Sequence, residues 1–95
     1  MDERYLSAKL AIETHTITEF RQIVTYAPKT WLANDLNKNT DRMTDLIDHV
    51  EKLSIKDLFR ISTLLGVDHY SVFYLISNQY LNDLDKNAQN NHTRP

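Results

Sequence analysis

Glycine is almost absent from this chain: Gly66 is its one glycine, and its prolines are Pro28 and Pro95. Strands joined by tight turns usually need more of both residues. Apolar residues instead recur at intervals of three and four, which is the spacing of one helix face. These features predict an all-α fold, and a single glycine also excludes glycine-rich phosphate-binding loops.

Composition limits the classes of protein that the chain can belong to. Its 95 residues suffice for one small domain, whose core would gain stability from a second subunit. The absence of cysteine excludes disulfides, thiolate zinc sites and cysteine nucleophiles. No apolar run approaches the ~20 residues of a membrane span, and the first residues lack a signal-peptide pattern. We therefore expect a cytoplasmic protein without membrane contact, and its net charge of -2 provides no overall basic field for nucleic acid.

Capping residues divide the chain into five predicted helices. Thr16 and Glu19 fit a capping box for the first helix, and Ser54 is a typical N-cap for the fourth. Gly66 follows the fourth helix as a left-handed terminus. The predicted helices span about 17–26, 29–36, 40–50, 55–65 and 69–81.

The second and third predicted helices are short and closely spaced. Asn37 follows the last apolar residue of the second helix and suits a left-handed turn, and Asn39 can cap the third helix. Two short helices joined by such a turn are the core of a helix-turn-helix. The predicted core residues are Leu32, Ala33, Met43, Leu46, Ile47, Leu58 and Leu65, with Trp31 packing partly against the first helix.

The ends of the chain have less pattern. Residues 1–15 fit a loosely ordered N-terminal arm or a short helix equally well. Residues 85–95 lack apolar periodicity and are expected to form a polar, solvated C-terminal tail. The helix-turn-helix domain would then occupy 16–84.

From about Ile17 to Ile76 the chain resembles the lambda repressor and Cro-like (Xre-type) helix-turn-helix domains. The resemblance rests on Leu32-Ala33, Leu36, Met43, Leu46 and the Leu65-Gly66-Val67 exit. It implies a compact five-helix fold, sequence-specific DNA binding and a role in bacterial transcription regulation. The chain is also similar to small proteins of Bacteroides-type bacteria, which share a Pro-Lys-Thr/Ser start and an Arg-x-x-x-Leu-Ile segment.

Three residues depart from the typical family sequence. Asn37 replaces the glycine of the turn, and asparagine can still adopt its left-handed conformation. Lys29 stands where the family often has a phosphate-binding glutamine, and lysine can bind phosphate as a point charge. Ile47 replaces a glutamate at the end of the third helix, which changes the packing there.

The resemblance implies that helix 40–50 enters the major groove of double-stranded DNA. Base-reading positions would be Thr40, Asp41, Thr44, Asp45 and Asp48, and phosphate contacts would come from Lys29, Thr30, Lys38, Asn39 and Arg42. However, Asp41, Asp45 and Asp48 form an acidic stripe, which opposes the electrostatic attraction of phosphate. The alternatives are a protein-interaction module that uses this acidic face for a basic partner, or a solvated surface with an Asp48–Lys52 helix pair.

No constellation of catalytic or metal-binding residues is recognisable. The four histidines, His15, His49, His69 and His92, lack metal-ligand spacing, and Asp45 with His49 supplies too few ligands. No serine, histidine and carboxylate occupy a nucleophile motif. We therefore expect no enzymatic activity, no cofactor and no bound metal.

The fifth predicted helix has more apolar residues than one face can bury. Five consecutive residues, Val72 to Ile76, are apolar or aromatic, and they point in all directions around a helix. A homodimer interface is therefore predicted at Tyr70, Phe73, Tyr74 and Tyr80. The alternative is that Tyr5, Leu6 and Leu10 of the N-terminal arm cover this surface.

Overall fold

A computed structural model describes residues 3–92, and it describes side chains as far as residue 88. Within this range the regular structure is entirely helical, without a strand, so the all-α prediction is confirmed. The α-helices are α1 Leu6–Glu13, α2 Lys29–Asp35, α3 Thr40–Asp48, α4 Ile55–Leu65 and α5 His69–His92, and shorter 3-10 segments are Glu3–Tyr5, Phe20–Thr25 and Val50–Lys52.

Three helices end in a left-handed residue followed by a hydrogen bond back into the last turn. The left-handed residues are His15, Asn37 and Gly66, with φ angles of 57°, 57° and 69°. After Asn37, for example, the Lys38 N–H donates to the Ala33 carbonyl at 2.8 Å. This arrangement satisfies carbonyls that the helix itself leaves unpaired. The predictions at Asn37 and Gly66 are confirmed, whereas nothing in the sequence marked His15 as such a terminus.

The capping box predicted for the first helix is wrong. The N–H groups of Thr16 and Ile17 donate to the Ala11 carbonyl, so these residues belong to the end of α1 and cannot start the next helix. The next helical segment is instead the 3-10 segment Phe20–Thr25. Its start is capped by Gln22, whose Oε1 accepts from the Glu19 N–H at 2.9 Å. The predicted α-helix over 17–26 is therefore shorter and of the 3-10 type.

Both ends of the chain are more helical than predicted. The short-helix alternative for the N-terminal residues applies, because α1 spans Leu6–Glu13. At the other end α5 continues to His92 rather than stopping near residue 81, so 85–92 is not an extended tail. No glycine or proline interrupts this segment, and the exposed side chains of residues 85–88 suit a solvated helix. Met1, Asp2 and residues 93–95 of the predicted arm and tail lie outside the described residues.

One continuous apolar core holds the helices together. All predicted core residues are buried except Leu58, which is half-buried. Trp31 is also half-buried, and its ring meets the buried ring of Tyr5 edge to face at 6.1 Å between centroids. Val72 and Leu75 place one side of α5 in this core.

The side chain of Gln79 is fully buried, with 0% relative exposure, and both the oxygen and the nitrogen of its amide are hydrogen-bonded. Its Oε1 accepts from the Arg21 N–H at 2.7 Å, and its Nε2 donates to the Ile47 carbonyl at 2.7 Å. These two backbone groups lie in the first turn of a 3-10 segment and the last turn of α3, where helices leave groups unpaired. Gln79 therefore joins α5 to both elements.

Charged residues extend this connection toward the surface. Arg21 Nη2 donates to both carboxylate oxygens of Asp83, at 2.6 and 2.7 Å. Asn82 donates to the Glu19 carboxylate at 2.6 Å, one helical turn beyond Gln79. Polar contacts thus continue along the side of α5 that faces the 3-10 segment.

We expect Gln79→Leu to destabilise the fold by about 2–6 kcal/mol, because the Arg21 N–H and the Ile47 carbonyl would lose their partners at about 1–3 kcal/mol each. Urea unfolding followed by circular dichroism measures the change. Asn87→Leu on the exposed side of the same helix is the control, with an expected change within about 0.5 kcal/mol. A Gln79→Leu protein as stable as the wild type would contradict this role.

Candidate nucleic-acid interface

The helices α2 and α3 pack against each other and are joined by a turn of four residues, Leu36 to Asn39. Asn37 provides the left-handed step, and Asn39 Oδ1 accepts from the Arg42 N–H at 2.7 Å, which confirms the predicted cap of α3. Met43 and Leu46 are fully buried on the inner side of α3. Local turn chemistry and one apolar face thus fix how α3 is held on the domain.

The opposite side of α3, called here the outer face, faces solvent. Thr40, Asp41 and Asp48 are exposed, and Thr44 and Asp45 are partly exposed. All five predicted base-reading positions therefore share one accessible surface. The Thr44 hydroxyl donates to the Thr40 carbonyl at 3.0 Å, so this hydroxyl is oriented along its own helix.

Asp45, at the middle of the predicted acidic stripe, is bound by two cations. Lys52 Nζ lies 3.0 Å from each of its carboxylate oxygens, and Arg42 Nη1 lies 3.1 Å from Oδ2. The hydrogen bond from Lys52 holds the pKa of Asp45 below its ordinary value, with the charge of Arg42 acting in the same direction. The stripe is thus neutralised at its centre.

The predicted Asp48–Lys52 helix pair is wrong. The helix α3 stops at Asp48, because His49 leaves the helical conformation with φ and ψ of -133° and 75°. Lys52 therefore lies in a separate 3-10 segment and reaches back to Asp45. Asp48 keeps an exposed carboxylate without an ion pair to any described side chain.

The predicted phosphate-binding residues fall into two groups. Thr30 is exposed at the start of α2, and Lys29 beside it forms no ion pair within the described part of the chain. Lys38 instead lies 3.3 Å from the Asp57 carboxylate, with its side chain 20% exposed. The Asn39 side chain is occupied by the cap of α3. The cap of Asn39 was predicted, whereas the contact between Lys38 and Asp57 was not assigned by the sequence interpretation.

Asp57 stabilises the start of α4 and its connection to the turn. Its backbone N–H donates to Ser54 Oγ at 3.0 Å, and its Oδ2 accepts from the Ser54 N–H at 3.1 Å, which confirms the predicted cap. Burial alone would raise the pKa of Asp57, but the hydrogen bonds from Ser54 and Lys38 outweigh it, so the pKa lies below 3.8.

The aromatic surplus of α5 is divided between core and surface. Val72 and Leu75 point inward, whereas Phe73 and Tyr74 are 56% and 47% exposed. The aromatic face of α5 is defined here as the predicted interface residues Tyr70, Phe73 and Tyr74 together with Leu81, which are all exposed and line one groove. Tyr80, the fourth predicted interface residue, is also exposed but lines a separate groove with Asp48 and His49.

The N-terminal residues do not cover this aromatic face in the way that the alternative required. Tyr5 is buried, and its hydroxyl donates to Asp35 at the end of α2. Leu6 and Leu10 are 44% and 51% exposed. At the edge of this face, the ring of His15 meets that of Tyr74 edge to face, at 6.3 Å between centroids, and Ile12 lines a groove with Tyr70 and Tyr74.

Neither a metal centre nor a membrane span is recognisable in the described residues. No three histidine or acidic side chains among them are placed to hold a metal ion, and the His92 side chain lies outside this set. No described helix is both long and apolar enough to cross a bilayer. Comparison with protein-family models, with curated proteins and with solved structures gives no match.

We expect Asp57→Asn to lose about 1 kcal/mol of stability at neutral pH, because the charge paired with Lys38 is removed. The pKa of Asp57 is lower in the folded state, so its contribution is complete above 3.8 and is lost as the pH falls through the folded value. Urea unfolding of wild type and variant across this range should show their difference shrinking. The exposed Asp85→Asn is the control, and a difference that persists unchanged in acid would exclude this linkage.

Proposed function

We propose that this chain is a sequence-specific double-stranded DNA-binding protein of the helix-turn-helix type and that it regulates transcription. The proposal rests mainly on one observation: α3 is anchored by a buried inner side while its outer face remains open beside the start of α2. A recognition helix needs this arrangement, because its outer side chains must reach base edges in the major groove.

The charges around α3 are compatible with this role. Arg42 and Lys52 lie at the outer face, where each forms an ion pair with Asp45. Exposed ion pairs contribute little stability, so both cations can leave Asp45 and pair with DNA phosphates instead. Asp45 would then be available to accept a hydrogen bond from a cytosine amino group. Lys29 lines the same groove as Thr44, with a volume of about 280 Å³, which places a cation beside the base-reading positions.

A protein-interaction module is the second candidate. It is favoured by Asp41 and Asp48, whose exposed carboxylates have no ion pair to the described residues. Such a face would attract a basic protein partner, because complementary charge accelerates encounter and suppresses wrong partners. Binding to DNA and to a basic protein would use overlapping parts of α3.

We expect Lys29→Ala and Arg42→Ala each to weaken binding to duplex DNA about 3–10-fold and to reduce the salt dependence by about one phosphate contact. Asp45→Asn should strengthen non-specific binding, because it removes a carboxylate and releases Arg42 and Lys52. Fluorescence anisotropy with mixed-sequence duplexes at low salt measures both effects. Lys38→Ala should instead lower stability, through the loss of its contact with Asp57.

The exposed Lys86→Ala on α5 is the matched control and should bind DNA as the wild type does. The absence of wild-type binding at about 50 μM protein would contradict the DNA-binding proposal. It would favour the basic-partner function, for which Asp41→Asn and Asp48→Asn are the informative variants.

The DNA-binding unit is proposed to be a homodimer formed through the aromatic face of α5. The groove along this face, of about 290 Å³, is lined without any charged side chain by Tyr70, Phe73, Tyr74, Ser77, Asn78 and Leu81. Two copies can therefore meet around a two-fold axis without charge repulsion. Such symmetry also lets two α3 helices meet successive major grooves about 34 Å apart.

We expect Phe73→Glu and Tyr74→Glu to give folded monomers, because both side chains are about half exposed in one chain. Sedimentation at micromolar concentration measures the oligomeric state, and circular dichroism verifies folding. Leu6→Glu places the same charge on an exposed leucine of α1 and should remain dimeric. A wild type that sediments only as a monomer would exclude this interface.

A further inference from the structure

A groove of about 420 Å³ lies between the end of α2 and the outer side of α4, and the proposed DNA-binding and dimer functions do not use it. Leu36 and Leu64 contribute its apolar surface, and the ring of Phe59 stands beside them with 48% exposure. An aromatic ring half exposed next to an apolar groove is typical of an anchor position in protein interfaces.

The groove is bordered by cations whose charge is not neutralised within the described part of the chain. Lys56 and Arg60 are one helical turn apart on α4 and line the groove. Neither side chain forms a hydrogen bond or ion pair with a described residue. Asp35, which also lines the groove, binds Arg4 at 2.8 Å, and Asp57 on α4 binds Lys38 and Ser54. A chain of net charge -2 thus presents a local basic surface here.

We propose that this groove docks an acidic amphipathic helix of a partner protein. The apolar side of such a helix would pack against Phe59, Leu36 and Leu64, while its flanking carboxylates would pair with Lys56 and Arg60. Helices commonly bind grooves through apolar residues spaced three and four apart. The unpaired cations select acidic partners over basic ones.

The surrounding geometry favours a partner protein over a second copy or DNA. The lining residues belong to α2 and α4, and none of them belongs to the outer face of α3 or to the aromatic face of α5. A docked helix would therefore leave both proposed surfaces accessible. This arrangement would allow the chain to recruit another protein while bound elsewhere.

The test uses a fluorescein-labelled helical peptide of about 15 residues, with leucine and phenylalanine on one side and glutamates on the flanks. A matched peptide carries lysine in place of each glutamate. We expect the acidic peptide to bind the full chain with a Kd of about 10–100 μM in anisotropy and the basic peptide to bind at least tenfold more weakly. The double substitution Lys56→Glu and Arg60→Glu should weaken binding of the acidic peptide at least tenfold and strengthen binding of the basic peptide.

Two further variants test the apolar part of the groove. Phe59→Ala should weaken binding of the acidic peptide about tenfold. Thr63→Glu, at an exposed position that lines the groove, should also weaken this binding, and it removes no packed ring. The exposed Lys86→Glu on α5 makes the same charge change elsewhere and should bind like the wild type. Circular dichroism of each variant confirms that the fold is retained.

Several outcomes would overturn the docking proposal. They include no binding of the acidic peptide at about 1 mM, equal binding of both peptides, or binding that is insensitive to the double charge reversal. If the double charge reversal instead weakens binding to duplex DNA and leaves peptide binding unchanged, Lys56 and Arg60 are phosphate contacts. If Thr63→Glu converts a wild-type dimer to a monomer, the groove seats a second copy. Peptide binding is measured without DNA, so its failure is separate from failure of the proposed DNA binding.

Discussion

The buried amide of Gln79 joins the end of α3 to α5 and to the 3-10 segment Phe20–Thr25 in this small domain. Two backbone groups would otherwise lack partners, because Arg21 lies in the first turn of one helical segment and Ile47 in the last turn of another. One neutral side chain satisfies both at 2.7 Å, without the desolvation penalty of a buried charge. The opposite side of α3 is left to solvent, and the neighbouring turn of α5 is held in place. Both proposed functional surfaces depend on this arrangement.

Most charged groups near the helix-turn-helix are paired locally, and this pairing determines the character of the surface. Asp45 binds Arg42 and Lys52, and Lys38 binds Asp57. The three surfaces on α3, α4 and α5 differ in the charged side chains that remain unpaired among the described residues. The outer face of α3 retains acidic groups, the outer side of α4 retains cations, and the groove along α5 is lined by uncharged residues. Three surfaces of different chemistry therefore occur on a chain whose net charge is close to zero.

The candidate interface was only partly predictable from sequence. Helical spacing correctly placed the residues proposed to read bases on one side of α3, because that periodicity is a property of the helix itself. The same spacing suggested a continuous acidic stripe and a pair between Asp48 and Lys52. The Asp48–Lys52 interpretation failed, because it assumed that α3 continued past His49. The three aspartates of the stripe do lie within α3, but the central one, Asp45, is paired with Arg42 and Lys52. The position of Lys52 beside Asp45 follows from the bend there, and no local rule predicts it.

The sequence by itself determined the all-α class, the α2 and α3 pair, and the helix termini at Asn37, Asn39, Ser54 and Gly66. These features arise from interactions between residues a few positions apart, so local spacing and side-chain chemistry suffice to predict them. The tertiary structure alone decided the role of Gln79, whose partners are 58 and 32 residues away in sequence. It also decided which aromatic residues of α5 are exposed and that Lys38 binds Asp57. Such contacts depend on how the helices pack, because packing brings together groups that the chain order separates.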